Sequence, residues 1–225
     1  AAATHTGAMA GADTVWEAAL LRAGIHRLQD LRELYGVAEI LGRGPPPPMG
    51  PVTVLTNSGG PAVLAVDALI RQGGKLADLP AGLLQELDQC LPPTWSRGNP
   101  VDIIGDARPE RFVAAMGALQ RSPLAQSGPV LLVHAPTDMS PAPEVSRLFD
   151  ETRAAQGTPG AAPVCCWMGE QPGVQSRAPL PGFTVPEEAV RALLDVQAAQ
   201  RLGLGTTPLE RAGPAGAFPA LGPTP

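Results

Sequence analysis

The chain has 225 residues, 44% hydrophobic and 16% charged, with a net charge of −5, long enough to bury a sizeable core in one globular domain with attachments. The acidic balance, the lack of Lys/Arg clusters beyond two residues and an aromatic content of 4% exclude the basic footprint and stacking surface of a nucleic-acid binder. No apolar run approaches the roughly 18–20 residues that span a bilayer, and the start, AAATHTGAMAGAD, has neither the basic nor the apolar region of a signal peptide.

Opening on small residues without Met, the sequence reads as the interior of a larger polypeptide. Three cysteines, Cys90, Cys165 and Cys166, form no disulfide framework and point to the reducing cytoplasm. Cys165 and Cys166 lie in the apolar run PVCCWM, where burial as small hydrophobes is expected. No His/Cys set has metal-ligand spacing, so no metal site is expected.

In chain order, 14–23 and 29–41 predict two helices separated by a stop at Gly24. Leu28, Leu31, Leu34, Tyr35, Ala38 and Leu41 recur at helical spacing and predict the buried face of the second. Two such short helices cannot close a core alone and must lie on something larger. GRGPPPPMG, residues 42–50, predicts an extended linker, since consecutive prolines favour polyproline II.

The body then alternates. PVTVLT predicts a strand, followed by NSGG and a helix from about Pro61 to Gln72 with Val63, Val66, Leu69 and Ile70 inward. Helices follow over 81–91 (Leu83, Leu84, Leu87, Leu91) and 109–120 (Phe112, Ala115, Met116, Leu119). PVLLVHAP is an apolar strand buried on both faces. A helix over 144–155, the strand PVCCWM and a helix over 186–200 complete the body, while residues from about 203 onward read as a flexible tail. Strands alternating with helices of 10–15 residues predict an α/β fold: a flavodoxin-like parallel sheet with helices on both faces. Strand order does not follow from the pattern.

Open parallel sheets bind ligands at the carboxyl ends of their strands. After VTVLT stands Asn57-Ser58-Gly59-Gly60-Pro61. Two glycines opening a helix fit a phosphate cradle, because free backbone N–H groups there carry partial positive charge; the same turn is also the ordinary way to join strand to helix. It is neither a P-loop nor a dinucleotide fingerprint. Gly98-Asn99-Pro100-Val101-Asp102 reads as a turn before a strand end near Asp102, with Asn99 and Asp102 as supporting candidates. Thr4-His5-Thr6-Gly7 offers a histidine in a small-residue loop, either an exposed bystander or a nucleophile toward phosphoryl groups. His26 reads as a helix cap and His134 as a satisfied core residue. No complete active site can be assembled from these residues.

HTGAMAGADTVWEAALLRAGIHRLQDLRELYGVAEIL resembles the phosphohistidine segment of the NDP-forming acyl-CoA synthetases, a superfamily that includes ADP-forming acetate–CoA ligase and succinyl-CoA synthetase. TNSGGPAVLAVDALIRQGGKLADL and GNPVDIIGDARPERFVAAM resemble the flavodoxin-like ligase domain that follows, and the resemblance runs over about residues 1–200. It implies that His5 is phosphorylated, supported by Thr6 and Gly7. It also implies that Ser58, Gly59 and Gly60 bind the phosphoryl group, with Asn57, Asn99 and Asp102 nearby. The implied organisation is the end of a first ligase domain (1–44), a linker (45–50), a second ligase domain (51–201) and a tail (202–225). CoA or acyl-CoA, ATP or ADP and Mg²⁺ belong to the full-length protein and none is expected on this fragment alone; the CoA-binding and ATP-grasp domains would be partners elsewhere. After MGEQPGVQSR the sequence APLPGFTVPEEAVRALL arrives early for the family, which predicts a damaged or simplified sheet edge. Two alternatives stay open: the acyl-CoA-sensing region of a protein lysine acetyltransferase fused to a GNAT domain, or a degenerate interaction module.

Overall fold

Apolar, β-branched runs pair side by side, and the helices between them cover both faces of the resulting sheet. The computed structural model describes residues 12–42, 44–156, 161–169 and 182–203, the side chains of 153–156 excepted. In order these form α1 (Asp13–Arg22), α2 (Leu31–Leu41), β1 (Thr53–Thr56), α3 (Gly59–Arg71), α4 (Ala81–Cys90) and β2 (Val101–Asp102). There follow α5 (Pro109–Arg121), the single turn α6 (Leu124–Ser127), β3 (Val130–His134), α7 (Ala142–Gln156), β4 (Val164–Trp167), β5 (Gly182–Phe183) and α8 (Pro186–Arg201). The sheet is parallel throughout, in the order β2-β1-β3-β4-β5, which is the flavodoxin-like arrangement.

Register sorts the strand residues onto two cores. Leu55, Val101, Leu132 and Cys165 face α4, α5 and α7, whose Leu83, Leu87, Phe112, Met116, Val145 and Phe149 are buried against them. Val54, Leu131, Val133, Val164 and Cys166 face α3 and α8. The adjacent cysteines thus point to opposite faces, each buried, as period-two alternation requires.

Two glycines end helices, Gly24 as expected and Gly73 in the same way. At Gly24 (φ +72°) and Gly73 (φ +78°) the chain takes the left-handed conformation. In each case paired backbone bonds close the end: Gly24 N–H to Leu21 O with Ile25 N–H to Leu20 O, and Gly73 N–H to Ile70 O with Gly74 N–H to Leu69 O. A residue with a Cβ pays a steric penalty in that region, which is why glycine ends these helices.

Two helical faces depart from expectation, although Leu69 of α3 is buried as expected. In α3 the buried residues are Ala62, Ala65, Ala68 and Leu69, while Val63, Leu64 and Ile70 are exposed. In α2 the buried residues are Gly36 and Ile40, while Leu31, Leu34, Tyr35 and Leu41 are exposed. The reason is interhelical distance. A Cβ placed on Gly36 would lie 2.9 Å from Ala192 Cβ of α8, so α2 reaches α8 through its smallest residue, and α3 fits beside α8 through alanines. Hydrophobic periodicity finds an apolar stripe but not the gap it must enter.

The proline-rich stretch is strapped to α8 rather than free: Gln197 donates to Gly50 O and Gln200 to Pro47 O, both at 3.0 Å. His26 does not cap its helix; its Nε2 lies 3.0 Å from Asp195 Oδ1 of α8. The expected simplified edge keeps a strand, since Gly182 and Phe183 pair in parallel with Cys165 and Cys166; the preceding residues 170–181 lie outside those described. Among the described residues no helix is long and apolar enough to cross a membrane.

Candidate functional site at the carboxyl ends of the strands

From β1 the chain crosses to β2 on one side, then returns to β3 on the other. The loops leaving β1 and β3 therefore diverge, and the crevice between them is where such sheets bind ligands. The turn after β1 is held from below. The hydroxyl of buried Thr56 accepts the Ser58 N–H at 3.0 Å and donates to the Ser58 carbonyl at 3.1 Å. Ser58 is the extended N-cap of α3, but its own hydroxyl makes no capping bond.

In the first turn of α3, Gly59 and Gly60 have N–H groups that donate to nothing among the described residues, Pro61 has none, and Ala62 N–H closes on Ser58 O. A Cβ on Gly60 would meet no atom within 4 Å. The opening is thus two backbone donors and one hydroxyl, uncovered by any of the described residues, at the positive end of a helix of 13 residues. This arrangement can hold a small anion such as a phosphoryl group.

Asn57 is 2% exposed and spans the crevice: its Nδ2 donates to Ala135 O at 2.8 Å and its Oδ1 accepts Ala135 N–H at 2.9 Å. Only one orientation of the amide satisfies both. The Gly105 loop after β2 closes over it, a Cβ there standing 3.8 Å from Asn57 O. The Asn57 amide therefore ties the β1 loop to the β3 loop. In Asn57→Asp a carboxylate would face the Ala135 carbonyl without a proton to give, and denaturant unfolding should show a loss of about 2 kcal/mol; an unchanged midpoint would contradict this role.

Asp102 stands beside the opening. Its Oδ1 accepts Ile104 N–H at 2.9 Å, and its Oδ2 would lie 3.5 Å from a Cβ on Gly59. Ile104 takes φ +70°, a strained conformation for a β-branched residue. Asn99 sits elsewhere: its amide serves the amino-terminal part of β1, through Val54 N–H, Val52 O and Ala77 O. The structure thus brings together Asn57, Ser58, Gly59, Gly60 and Asp102, and separates Asn99. His5, Thr6 and Gly7 lie outside the described residues.

Two further groups gave little warning in the sequence. The Thr56 clamp has no signature beyond a threonine ending a strand. His134 is a core residue, as read, but not a satisfied one. Its ring lies between Phe112 and Trp167 with centroids 5.2 and 5.3 Å away, and neither nitrogen has a hydrogen-bond partner of normal geometry among the described residues. Burial pushes its pKa down to about 4, the Ser140 backbone opposing without overcoming it.

The chain is similar to known acyl-CoA ligases over most of its length. The Ligase-CoA domain matches residues 52–159, and the succinyl-CoA ligase-like flavodoxin domain matches residues 1–41. The ADP-forming acetate–CoA ligase I of Archaeoglobus fulgidus is 33% identical over 198 residues, 86% of this chain and 27% of that protein. The ADP-forming 4-hydroxybutyrate–CoA ligase of Nitrosopumilus maritimus is 30% identical over the same length, 28% of that protein. Acetyl-coenzyme A synthetase 1 of Ca. Korarchaeum cryptofilum, solved with phosphate and ADP, superposes with a TM-score of 0.78 at 25% identity, covering 89% of this chain and 44% of that one. The chain thus spans just over a quarter of these curated relatives. It carries a Ligase-CoA domain behind a succinyl-CoA ligase-like segment, is similar to ADP-forming acyl-CoA ligases along nearly all its length, and shares its fold with a solved acetyl-coenzyme A synthetase.

Proposed function

We propose that this chain carries the phosphoryl relay of an ADP-forming acyl-CoA synthetase of the acetate–CoA ligase type, with His5 as the phosphorylated residue and Ser58, Gly59 and Gly60 as its cradle. The observation that carries the reading is the uncovered first turn of α3, with two free backbone donors and an unengaged serine hydroxyl at the switch between β1 and β3.

A ring nitrogen of His5 attacks the phosphorus of an acyl phosphate with its lone pair. The N–P bond forms as the P–O bond to the acyl oxygen breaks, and the carboxylate leaves with the electron pair. An oxygen of the ADP β-phosphate then attacks the same phosphorus, and the ring nitrogen departs with its pair. In both steps charge lies on the three spectator oxygens, where backbone donors at a helix terminus are most effective. Residues 1–44 would close one ligase domain and 51–201 form the next; sites for CoA and the nucleotide would lie in other parts of the polypeptide or in a partner. Among the described residues no group of three His, Cys, Asp or Glu side chains could hold a metal ion.

The test uses the full-length parent protein, incubated with ATP labelled in its γ-phosphate and Mg²⁺. Wild type should acquire acid-labile, base-stable label that His5→Ala abolishes. A wild type that stays unlabelled while binding acyl-CoA would overturn the relay and favour the GNAT-linked sensor.

A further inference from the structure

We infer that Thr56 is a positioning residue for phosphoryl transfer, acting through the backbone of Ser58; the inference rests on the phosphohistidine reading of the α3 cradle. Thr56 is fully buried at the last position of β1. Its hydroxyl holds both backbone polar groups of Ser58 at once, on the two peptide units that flank its Cα, accepting the N–H and donating to the carbonyl.

Three consequences follow for the cradle. The Ser58 N–H is withdrawn from the opening, so the free backbone donors are those of Gly59 and Gly60. The Ser58 carbonyl is held at the point where it accepts Ala62 N–H and starts α3. The Ser58 side chain, whose backbone is extended at φ −151° and ψ 121°, stays off the helix end and free to donate. A preorganised set of donors is worth more to a transition state than the same donors on a mobile turn, because no reorganisation accompanies the charge development. The Ala135–Asn57 bridge fixes the far wall of the crevice, and Thr56 fixes the near one.

A structural role alone would make activity follow stability, and two variants separate the possibilities. Thr56→Val keeps the buried volume and removes the hydroxyl; Thr56→Ser keeps the hydroxyl and loses a buried methyl. Both are made in the full-length protein and compared for the rate of His5 labelling and for unfolding midpoint. Thr56→Val should label His5 at least about tenfold more slowly with its midpoint close to wild type. Thr56→Ser should unfold more easily yet label at nearly the wild-type rate. Labelling that falls in step with the midpoint in both variants, or a Thr56→Val rate equal to wild type, overturns the inference and leaves the relay standing. A wild type without label sinks both.

Discussion

Acidification from about pH 7.5 to about pH 5 should remove about 2 kcal/mol more stability from the wild type than from a His134→Phe variant. The His134 imidazole ordinarily titrates at 6.5, and burial lowers it to about 4. The native state therefore holds it neutral where the unfolded chain takes up a proton. The associated stability is complete above pH 6.5, falls as pH drops through the window between 6.5 and 4, and levels off below about 4, with a ceiling of about 3 kcal/mol.

Phenylalanine fits the aromatic slot between Phe112 and Trp167, and any cost of repacking it is independent of pH. The difference between the two proteins is the measurement, because other groups titrate as well. The Asp195 carboxyl, raised chiefly by burial, stabilises the native state as pH falls, whereas Asp30, lowered chiefly by the Glu33 N–H, does the opposite. Both cancel in the comparison. Equal acid sensitivity of the two proteins would show that His134 is not the group responsible.

Replacing Asn99 by alanine should cost about 2 kcal/mol in denaturant unfolding, because Val54 N–H and Ala77 O lose their partner together, while Val52 O keeps the Ala77 N–H. β2 pairs with β1 only at Leu55 and Thr56. Ahead of β1 the chain is met by residues 75–77, with Val52 N–H to Lys75 O and Ala77 N–H to Val52 O, and one side chain ties these pieces together: Asn99 Oδ1 accepts Val54 N–H, and Nδ2 donates to Val52 O and Ala77 O, each at 2.9 Å. Water could reach these groups after truncation, so the loss stays below the sum of two full penalties. Asn99→Asp provides the control, since it retains the acceptor for Val54 but turns a carboxylate toward two carbonyls. It should be no more stable than the alanine variant; an aspartate as stable as wild type would mean the two donated bonds contribute nothing. The protein's total stability is on the order of 5–15 kcal/mol, so either variant should move the midpoint well beyond error.

Much of the fold was legible because it depends on local patterns. The strands TVLT, VLLVH and VCCW and the helices with Leu83, Leu87, Phe112, Met116, Val145 and Leu193 inward are where a run or a stripe can be buried in only one way. The cradle was legible for a similar reason, since two glycines and a proline after a strand bring the backbone to the surface at a helix start. The faces of α2 and α3 were not legible, because Gly36, Ala62, Ala65 and Ala68 win the interior by being small, and the clearance that selects them is set by α8, more than a hundred residues away. The roles of Asn57 and Asn99 were equally hidden. Both look like polar turn residues, and which backbone groups their amides reach depends on chain segments that meet only in the folded sheet.

Composition and pattern by themselves determined the class of fold, the alternation of strands and helices, the glycine stops and the location of a helix terminus able to receive an anion, since each is dictated by side-chain size, backbone freedom or hydrogen-bonding capacity within a few residues. Only the tertiary structure decided the strand order that opens the crevice between β1 and β3, the locking of that crevice by Asn57 and Thr56, the diversion of Asn99 to the sheet and the isolation of His134 between two aromatic rings. These depend on distances between residues far apart in the chain, and such distances exist only once the helices have packed against the sheet.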